Sequence, residues 1–444
     1  MTAHERLRED LERIEKRAHA LNPLRKHWRG EPDTAFLSES SRKALEGRLS
    51  TLSVNFPRLL VNSYVDRMNL TGWTDEDGQP DAGAWNRHRA AGLVHRAELV
   101  HTDRLMYGAS YVTVWPERRG PAVVLDNPFT MTVDMDPLTG DVSRAVRTWR
   151  HAGAQHALVI DAETVTRWRC DAPDLGAAGQ WCVVGKPSPS AFTADGLVPV
   201  VPFVRRMSTD DHDGTSVAAD ILDLTDAENK LMADAMVTSE SYARPRRWAT
   251  GLEIQEDDDG NPVDPFGRDR SLQSEDPDTR FGQFDPARLD SYADMSATIT
   301  QMIGAITGLP AHYLGLHGDQ PAAAEGVRAA EAQLTSRVFS ELRAMDLPWS
   351  RVAGLVALAS DRDLAAPPRL EPVWASPEIR TPGQAADAAA KLHGIGVPLR
   401  SLLSETMGWT PEQVDAAMAD RRDELVDRAA AGLSVTTRGT SGRQ

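Results

Sequence analysis

The spacing of apolar residues predicts helices at the start of the chain. From Thr2 to Leu21, apolar residues recur at helical spacing among charged ones, and Pro23 is expected to end this helix. A second helix is predicted within Leu49 to Arg67, with Pro57 near its start, where the missing N–H of proline is harmless. Trp85 to Tyr107 predicts a third helix. The stripe of the first helix consists of Leu7, Leu11, Ile14 and Ala18.

Between Ala109 and Val204 the pattern changes to short runs of β-branched and aromatic residues, separated by turns such as Asp136 to Gly140. This pattern predicts a β-rich domain of antiparallel meanders. The predicted strands are Ser110 to Trp115, Ala122 to Leu125, Met131 to Val133, Ala157 to Ile160, Thr164 to Trp168, Trp181 to Val184 and Val198 to Val204.

A helical hairpin is predicted next. The polar loop Asp210 to Ser216 ends in hydroxyls that can cap a helix, and a helical pattern runs from Val217 to Ala243, about 40 Å at 1.5 Å per residue. An insert rich in Asp, Gly and Pro then extends to Asp285. The second helix is predicted to begin with Asp285 as its N-cap and Pro286 at N1, and to end at Gly308.

The last third of the chain predicts more helices. A loop containing Gly308 to Pro310 and Gly315 to Pro321 leads into a helix from Ala322 to Met345. Pro348 should kink this helix or divide it from Trp349 to Ser360. A short extended piece, Glu371 to Ala375, precedes helices at Pro382 to Gly394 and Thr410 to Ala431, and the tail from Gly432 is expected to be disordered.

Length and composition restrict the class of protein. A chain of 444 residues is expected to form about two to four structural units. Its sequence has no run of about 18 to 20 apolar residues and no apolar signal-peptide core in Met1 to Lys16, so we expect a protein made and kept in the cytosol, without a membrane. Cys170 and Cys182 are too few for a disulfide framework or a structural zinc site, and we interpret both as structural.

The net charge of −16 argues against a surface that grips nucleic acid by its phosphates. DNA is still possible as a neighbour, because an acidic wall repels phosphates and lets DNA slide.

No motif predicts catalysis, a cofactor or a metal. The run Asp257 to Asn261 resembles a calcium loop, but Pro262 and the missing acidic twelfth position break the pattern, so a solvated turn is favoured. The sequence has no P-loop, HExxH motif or nucleophile elbow, so no enzyme is predicted. His312 and His317 are interpreted as polar groups facing a wet channel, with a pH-sensitive role as the alternative.

Five stretches of the sequence resemble the portal proteins of long-tailed bacteriophages. They follow the order of that family along the chain and together extend over nearly its whole length. The most specific runs from Thr307 to Gly315 and from Pro321 to Glu331, where Ala323 or Ala324 replaces a serine frequent in the family. The others are Phe56 to Ser63 with Arg67 and Gly72-Trp73; Val201 to Val204 with Gly214 to Ser216 and Ala227 to Lys230; Tyr242 to Arg247 with Gly251; and Val373-Trp374, Thr381 to Lys391 and Gly408 to Pro411.

The resemblance implies an α+β portal fold: a mixed α/β wing, two long stem helices flanking a small clip, a kinked tunnel helix and a helical C-terminal crown. The implied boundaries are residues 1–216 for the N-terminal region and wing, 217–243 and 286–308 for the stem helices, 244–285 for the clip, 309–324 for the tunnel loop, 325–381 for the tunnel helix and its return to the wing, 382–431 for the crown and 432–444 for a disordered tail.

The resemblance also implies function and partners. Portals form a ring, usually of twelve subunits, at one capsid vertex, and double-stranded DNA passes through it during packaging and ejection. The implied partners are the large terminase subunit and the head–tail adaptor at the clip, together with major capsid and scaffolding proteins. Such a protein assembles in the host cytoplasm and ends in the virion. The alternatives are another ring or head-completion protein, or a phage hydrolase or nuclease.

Candidate functional residues follow from this interpretation. Arg244, Arg246 and Arg247 at the clip could meet DNA phosphate or a neighbouring subunit, and the subunit contact is favoured. The expected stem and pore residues are Asp220, Asp223, Asp226, Lys230 and Asp234. The expected tunnel-loop residues are Leu309, Pro310, His312, Tyr313, Gly315, His317, Gly318, Asp319 and Gln320, and acids such as Asp319 are expected to repel DNA.

Overall fold

A computed structural model describes residues 2–32, 53–118, 120–171, 179–193, 196–242, 247–251, 277–283, 289–316, 324–361, 363–378, 382–409 and 411–438. Its longer helices are α1 (Ala3–Arg29), α2 (Phe56–Val65), α3 (Ala82–Ala90), α4 (Ala97–Tyr107), α5 (Leu222–Tyr242), α6 (Asp290–Thr307), α7 (Ala324–Ser360), α8 (Pro382–Gly394) and α9 (Pro411–Arg438), and a short helical segment, Leu399–Ser401 followed by a π-helical turn at Leu402–Thr406, lies between α8 and α9. Its strands are β1 (Leu70–Thr74), β2 (Ala109–Glu117), β3 (Gly120–Asp126), β4 (Met131–Met135), β5 (Val142–His151), β6 (Ala154–Asp161), β7 (Thr164–Cys170), β8 (Cys182–Val183), β9 (Ser188–Pro189), β10 (Val200–Val204), β11 (Arg247–Thr250), β12 (Arg280–Gln283) and β13 (Glu371–Trp374). None of the helices within these ranges is long and apolar enough to cross a membrane.

Helix α1 begins with a capping box, in which Thr2 and Glu5 each bond the backbone N–H of the other. Its predicted apolar stripe is confirmed, because Leu7, Leu11 and Ile14 are buried together against the β-rich part. The prediction that Pro23 ends the helix is wrong. The helix continues to Arg29 because its last turns are held by packing: Leu24 is buried in the main core.

The predicted antiparallel β-rich region is confirmed and contains two sheets. Strands β4 to β8 pair in sequence order, with β9 added beside β7, and α1 covers one face of this sheet through Val146, Val159 and Trp168. Strands β10, β2 and β3 form the second sheet. Of the two free cysteines, Cys170 is buried under α1 and Cys182 is exposed, so burial supports the structural interpretation for Cys170 alone.

Strand β5 was not predicted, because arginines interrupt its apolar residues. The structure shows why these charges are compatible with a sheet. Arg144 bonds the buried Asp10 of α1 at 3.0 and 3.1 Å, and Arg147 bonds Asp126 at 2.8 and 2.9 Å. Each guanidinium therefore has a carboxylate partner, which offsets the cost of removing it from water.

The predicted helix from Trp85 to Tyr107 is two helices. Helix α3 ends at Ala90, Gly92 follows with φ +68°, and α4 begins at Ala97. The prediction was wrong because both segments carry apolar residues at helical spacing, whereas the break is set by the left-handed backbone at one glycine.

Helix α7 runs through the centre of the molecule. Val338, Trp349 and Val352 are fully buried in the main core, together with residues of α2, α4 and β2. Pro348 lies inside this helix and does not divide it. The lost hydrogen bond is offset by the burial of nearby apolar residues such as Met345 and Trp349, since burying one large side chain contributes about 1.5 to 3 kcal/mol.

The chain closes on itself through β1 and β13, which pair in antiparallel register from Leu70 opposite Trp374 to Thr74 opposite Glu371. The predicted extended piece is thus strand β13. Helix α8 has the predicted bounds, and α9 continues to Arg438, beyond the predicted end at Ala431. The predicted tail therefore still contains helix up to Arg438, and residues 439–444 lie outside the described residues.

The predicted helical hairpin is confirmed in the form of α5 and α6, which pack side by side. Helix α5 follows a 3-10 turn at Ala219–Ile221, and α6 begins at Asp290 with Leu289 as its N-cap. The predicted N-cap Asp285 and the predicted start at Pro286 lie outside the described residues. Between them, β11 and β12 pair from Arg247 opposite Gln283 to Thr250 opposite Arg280. Residues 252–276, which include the run Asp257 to Asn261, lie outside the described residues.

Two glycines fix the place where the chain enters α5. Gly108 and Gly214 have φ of +80° and +81°, and each carbonyl lies where a Cβ on the other glycine would be. This approach allows Val217 N–H to donate to Leu105 O at 2.9 Å, while Ser216 Oγ accepts from Ala218 N–H at 3.0 Å. The prediction that a loop hydroxyl caps the helix is wrong, because Ala218 is the N-cap of the 3-10 turn and has no side-chain cap, while the Ser216 hydroxyl stabilises the loop that precedes it.

Two histidines are buried among tryptophans in the main core. His88 stacks on Trp85 with ring centroids 5.3 Å apart, and Trp349 donates from Nε1 to His101 Nε2 at 3.1 Å. Burial lowers the pKa of His88 to about 4 and that of His101 to about 3, from 6.5. Both rings are therefore neutral in the folded chain at neutral pH.

Gly214→Ala should lower the free energy of unfolding by about 3 kcal/mol, because the Cβ adds a backbone overlap to the strain of a left-handed alanine. Urea unfolding measures this loss. Gly153→Ala is the control, since Gly153 has φ +80° with open space around it, and should cost only about 1 kcal/mol. Equal losses in the two variants would show that the close approach is unimportant.

Acid should destabilise the fold through the two histidines. Their folded-state pKa values lie below the unfolded value, so between pH 6.5 and about 4 the unfolded chain binds more protons and stability falls as the pH falls. His88→Leu removes one of these groups. Between pH 6.5 and 5 the variant should lose about 2 kcal/mol less than the unchanged chain, measured by urea unfolding. An unchanged pH slope would contradict this assignment.

Candidate functional site

The hairpin joins the body where α5, α6 and α7 meet, and the centre of this junction is Glu341 of α7. Its carboxylate accepts from Arg104 Nη1 at 2.6 Å and from Arg205 Nε at 2.8 Å. Arg104 belongs to α4, and Arg205 follows β10 and leads to the hairpin. One carboxylate therefore connects the long helix, the core and the segment that precedes α5.

The charges in this cluster are nearly removed from water, since the side chain of Arg104 is 2% exposed and that of Glu341 13%. Burial acts to raise the pKa of Glu341, but the two guanidinium groups outweigh it and hold that pKa below its usual value of 4.5. The carboxylate thus stays ionised, and its contribution to stability is present above pH 4.5 and is lost as the pH falls through the lowered value.

Arg337, one turn earlier on α7, holds the end of α6. Its Nη1 donates to the carbonyl of Ile306 at 2.9 Å and to that of Thr307 at 2.7 Å. These carbonyls have no partner within the helix, and a cation near them also offsets the negative end of the helix dipole. Gly308 then ends the helix with φ +72°.

The segment after α6 forms a 3-10 turn at Ala311–Leu314, held by Tyr313. The phenol accepts from Arg67 Nη2 at 3.0 Å and donates to Glu331 Oε1 at 3.1 Å, while Arg67 and Glu331 lie 3.2 Å apart. Burial raises the pKa of the Tyr313 phenol. The turn is therefore attached both to the end of α2 and to α7.

The predicted tunnel-loop residues fall into two groups. Leu309 and Pro310 are buried, His312 is exposed with Nε2 3.7 Å from Glu331, and Gly315 ends the turn with φ +74°. The structure thus brings the first half of the predicted loop together as a packed turn. His317, Gly318, Asp319 and Gln320 lie outside the described residues.

The five predicted stem and pore residues also fall into two groups. Asp220 and Asp223 are exposed. Asp226 instead lies 2.7 Å from His27 of α1, and Lys230 forms an ion pair with Asp234 one turn later. Two of the five residues therefore have side chains free to face solvent from this part of α5, and the other three are engaged within the subunit.

At the far end of the hairpin, two aromatic side chains are exposed. Trp248 and Phe281 are 37% and 42% exposed on the small sheet of β11 and β12. A Cβ on Gly282 would lie 2.5 Å from the Trp248 ring, so this glycine gives the indole its place on the sheet. Arg247 is the first residue of β11, whereas the predicted Arg244 and Arg246 lie outside the described residues.

Sequence reasoning missed four charged residues that organise the junction, which are Arg104, Arg205, Arg337 and Glu341. Arg67 and Glu331 belong to the stretches that resemble the family, but their contact with each other was not predicted. A signal for Arg104 was present, because this arginine occupies a position of the apolar face of α4 between Val100 and Leu105. A charge on an apolar helix face is buried only with a partner, but the sequence does not show where that partner is.

A cleft of about 1070 Å³ lies between α7 and α8. It is lined by charged residues of both helices, such as Arg343 and Asp387, and by Phe339, which is 40% exposed. Among the residues that the structure describes, no three His, Cys, Asp or Glu side chains are grouped so as to hold a metal ion.

Comparison with known proteins identifies the family to which the chain is similar. Residues 5–426 match the family described as "Phage portal protein, SPP1 Gp6-like". The portal proteins of Mycobacterium phage L5 and Mycobacterium phage D29 are each 29% identical to the chain, over 86% of this chain and 80% of the relative. A solved structure, "Neck of empty GTA particle computed with C6 symmetry", is 16% identical over 83% of this chain and 94% of that one, with a TM-score of 0.48.

Glu341→Gln should lower the free energy of unfolding by about 3 kcal/mol, because it leaves two buried guanidinium groups without a carboxylate. Urea unfolding at pH 7 measures the loss. Glu12→Gln is the matched control, since Glu12 pairs with Arg8 at the surface of α1 and should change stability by less than about 0.5 kcal/mol. A loss as small in Glu341→Gln as in Glu12→Gln would contradict the role of the bridge.

Proposed function

The chain belongs to the SPP1 Gp6-like family of phage portal proteins, and we propose that its copies form a ring that serves as the DNA channel at one capsid vertex. Portal proteins are structural components of the virion, in agreement with the prediction that the chain is not an enzyme. The single observation that carries the proposal is the family match over residues 5–426, which includes the hairpin, the turn and the long helix α7.

The elements of the fold take the following parts in this proposal. Helices α5 and α6 are the stem, the small sheet of β11 and β12 belongs to the clip within residues 244–285, and the two larger sheets form the wing. Helix α7 is the tunnel helix, the residues from Leu309 to Ala324 are the tunnel loop, and helices α8 and α9 are the crown.

The channel wall is proposed to work by repulsion. Helices α5 and α6 carry seven acidic residues and one basic residue, Lys230. Such a wall repels phosphates and so favours sliding over binding. Since Tyr313 attaches the first half of the tunnel loop to the subunit, the part that approaches DNA is the segment that begins at Gly315.

Contacts with partners are assigned to the ends of the ring. The clip is the docking site for the large terminase subunit and afterwards for the head–tail adaptor, and the exposed Trp248 and Phe281 support this assignment, because aromatic residues are enriched in protein interfaces. The wing is assigned to the contacts with major capsid and scaffolding proteins. The work of packaging then comes from the terminase, and the portal itself uses no cofactor.

A ring of identical copies, twelve in the simplest proposal, is expected when the purified chain is analysed by native mass spectrometry and negative-stain imaging. A compact monomer under all conditions would overturn the proposal. In particles, Gly315→Pro should reduce the DNA retained per head several-fold, because proline cannot adopt φ +74° and removes the N–H that bonds Ala311 O.

The control for this variant is Gly140→Pro. Gly140 is another glycine with open space around it, has φ +71° and donates to Asp136 O, but it lies in a wing turn far along the chain from the tunnel loop. Normal DNA content in the Gly315 variant, or an equal loss in both variants, would refute the role of the loop.

A further inference from the structure

We infer that the hairpin carries both halves of the contact between neighbouring copies: an apolar stripe on α6 and an apolar patch on the opposite side of α5. The inference rests on the proposed function, because it states which surfaces of adjacent subunits meet in the ring. It names Met295, Met302 and Ile306 as the stripe, and Met232 and Met236 as the centre of the patch.

The stripe is an exposed apolar surface along α6. Met295, Met302 and Ile306 are 55%, 51% and 41% exposed. Successive residues of an α-helix are rotated by about 100°, so spacings of seven and four place the three side chains within about 40° of one another. They form one line along the helix, without a polar residue in it.

The stripe does not face α5. Helix α6 meets α5 through Ser296, which donates to Glu228 at 2.6 Å, and through Tyr292, whose hydroxyl lies 3.2 Å from that of Thr238. At about 100° per residue, the stripe is rotated about a quarter turn from this contact direction. It is therefore a side surface of the hairpin.

The patch is on α5. Met236 is 45% exposed, and Met232, Ala233 and Val237 beside it are half-buried. Met232 and Met236 are also rotated about a quarter turn from the contact direction, but in the other rotational sense. The patch on α5 and the stripe on α6 are thus rotated in opposite senses from the direction in which the two helices meet. Because the helices are antiparallel, this places the patch and the stripe on opposite sides of the hairpin.

One residue of each surface, Met295 of the stripe and Met232 of the patch, lies at a similar height along the hairpin. The contacts Glu228 with Ser296 and Thr238 with Tyr292 mark two levels of the hairpin. Met232 lies between these levels on α5, and Met295 lies between them on α6. A copy placed beside the hairpin can thus bring its Met232 to the Met295 of its neighbour without a shift along the hairpin axis.

The charges around the stripe indicate that its binding partner is a second copy of this chain. DNA is excluded by the acidic residues beside the stripe, and a basic partner would bind the acidic side chains of α5 in preference to methionines. Lys230, the one cation of the two helices, is already paired with Asp234, so copies cannot join here by ion pairs. A closed ring requires two different, complementary surfaces on each copy, and the hairpin has two apolar ones on opposite sides.

Paired cysteines test the contact in the assembled chain, with Cys182→Ser to remove the exposed thiol. Met295→Cys combined with Met232→Cys should give a ladder of covalent oligomers on oxidation. Met295→Cys combined with Asp234→Cys is the control, because Asp234 lies at the same height but on the stripe side. The first pair should give at least about tenfold more intermolecular product, since a disulfide forms only at short Cα separations.

Native mass spectrometry of the reduced samples separates this inference from the proposed function. If a ring forms and the Met295–Met232 pair gives the ladder, both the proposed function and the inferred contact are supported. If a ring forms but this pair gives no ladder, or both pairs give equal ladders, the inferred contact is wrong and the ring is still supported. If the unchanged chain forms no ring, both the proposed function and the inferred contact are wrong.

Met295→Glu provides a second readout that does not depend on cross-linking. It should lower the ring fraction roughly tenfold, because the contact with Met232 of the neighbouring copy would bury an unpaired charge, while the thermal midpoint of the subunit stays unchanged. Ala305→Glu adds the same charge to an exposed position of α6 that points away from α5 and is rotated about 80° from Met295, and it should leave the ring intact. A normal ring in Met295→Glu, or equal losses in both variants, would contradict the inference.

Discussion

The bridge from Glu341 to Arg104 and Arg205 is the interaction on which the placement of the hairpin depends. Its three residues come from the long helix α7, from the core helix α4 and from the segment that leads into α5. A buried carboxylate between two guanidinium groups is costly to disrupt, because each remaining group would be left charged and unpaired. The direction in which the chain leaves the body towards the hairpin is thereby fixed by charge as well as by packing.

The return of the chain from the hairpin is fixed by the same helix. Arg337 holds the last carbonyls of α6, and Glu331 holds Tyr313 in the turn that follows. Three charged residues of α7, at spacings of six and four, thus control the chain before α5, at the end of α6 and in the turn. The long helix acts as a common support for every element assigned to the channel.

Much of the architecture could be predicted from the sequence, because periodicity reports which residues are buried. The apolar stripe of α1, the antiparallel β-rich region, the hairpin helices and α8 all followed from it. The errors arose where tertiary contacts override local signals. Pro23 lies inside a helix that is held by packing, and the arginines of β5 are paired with carboxylates from distant parts of the chain. The junction was missed for the same reason, since partners such as Arg104 and Glu341 are 237 residues apart.

The pairing of β1 with β13 has a consequence for the order of events during synthesis. Thr71 bonds Val373 across 302 residues of sequence, so the first strand has no partner until the second has left the ribosome. At bacterial rates of about 5 to 20 residues per second, that interval lasts roughly 15 to 60 seconds. The contacts between the hairpin helices span only 54 and 68 residues of sequence, so they can form while β1 is still without its partner strand, and the hairpin can therefore fold before the body closes.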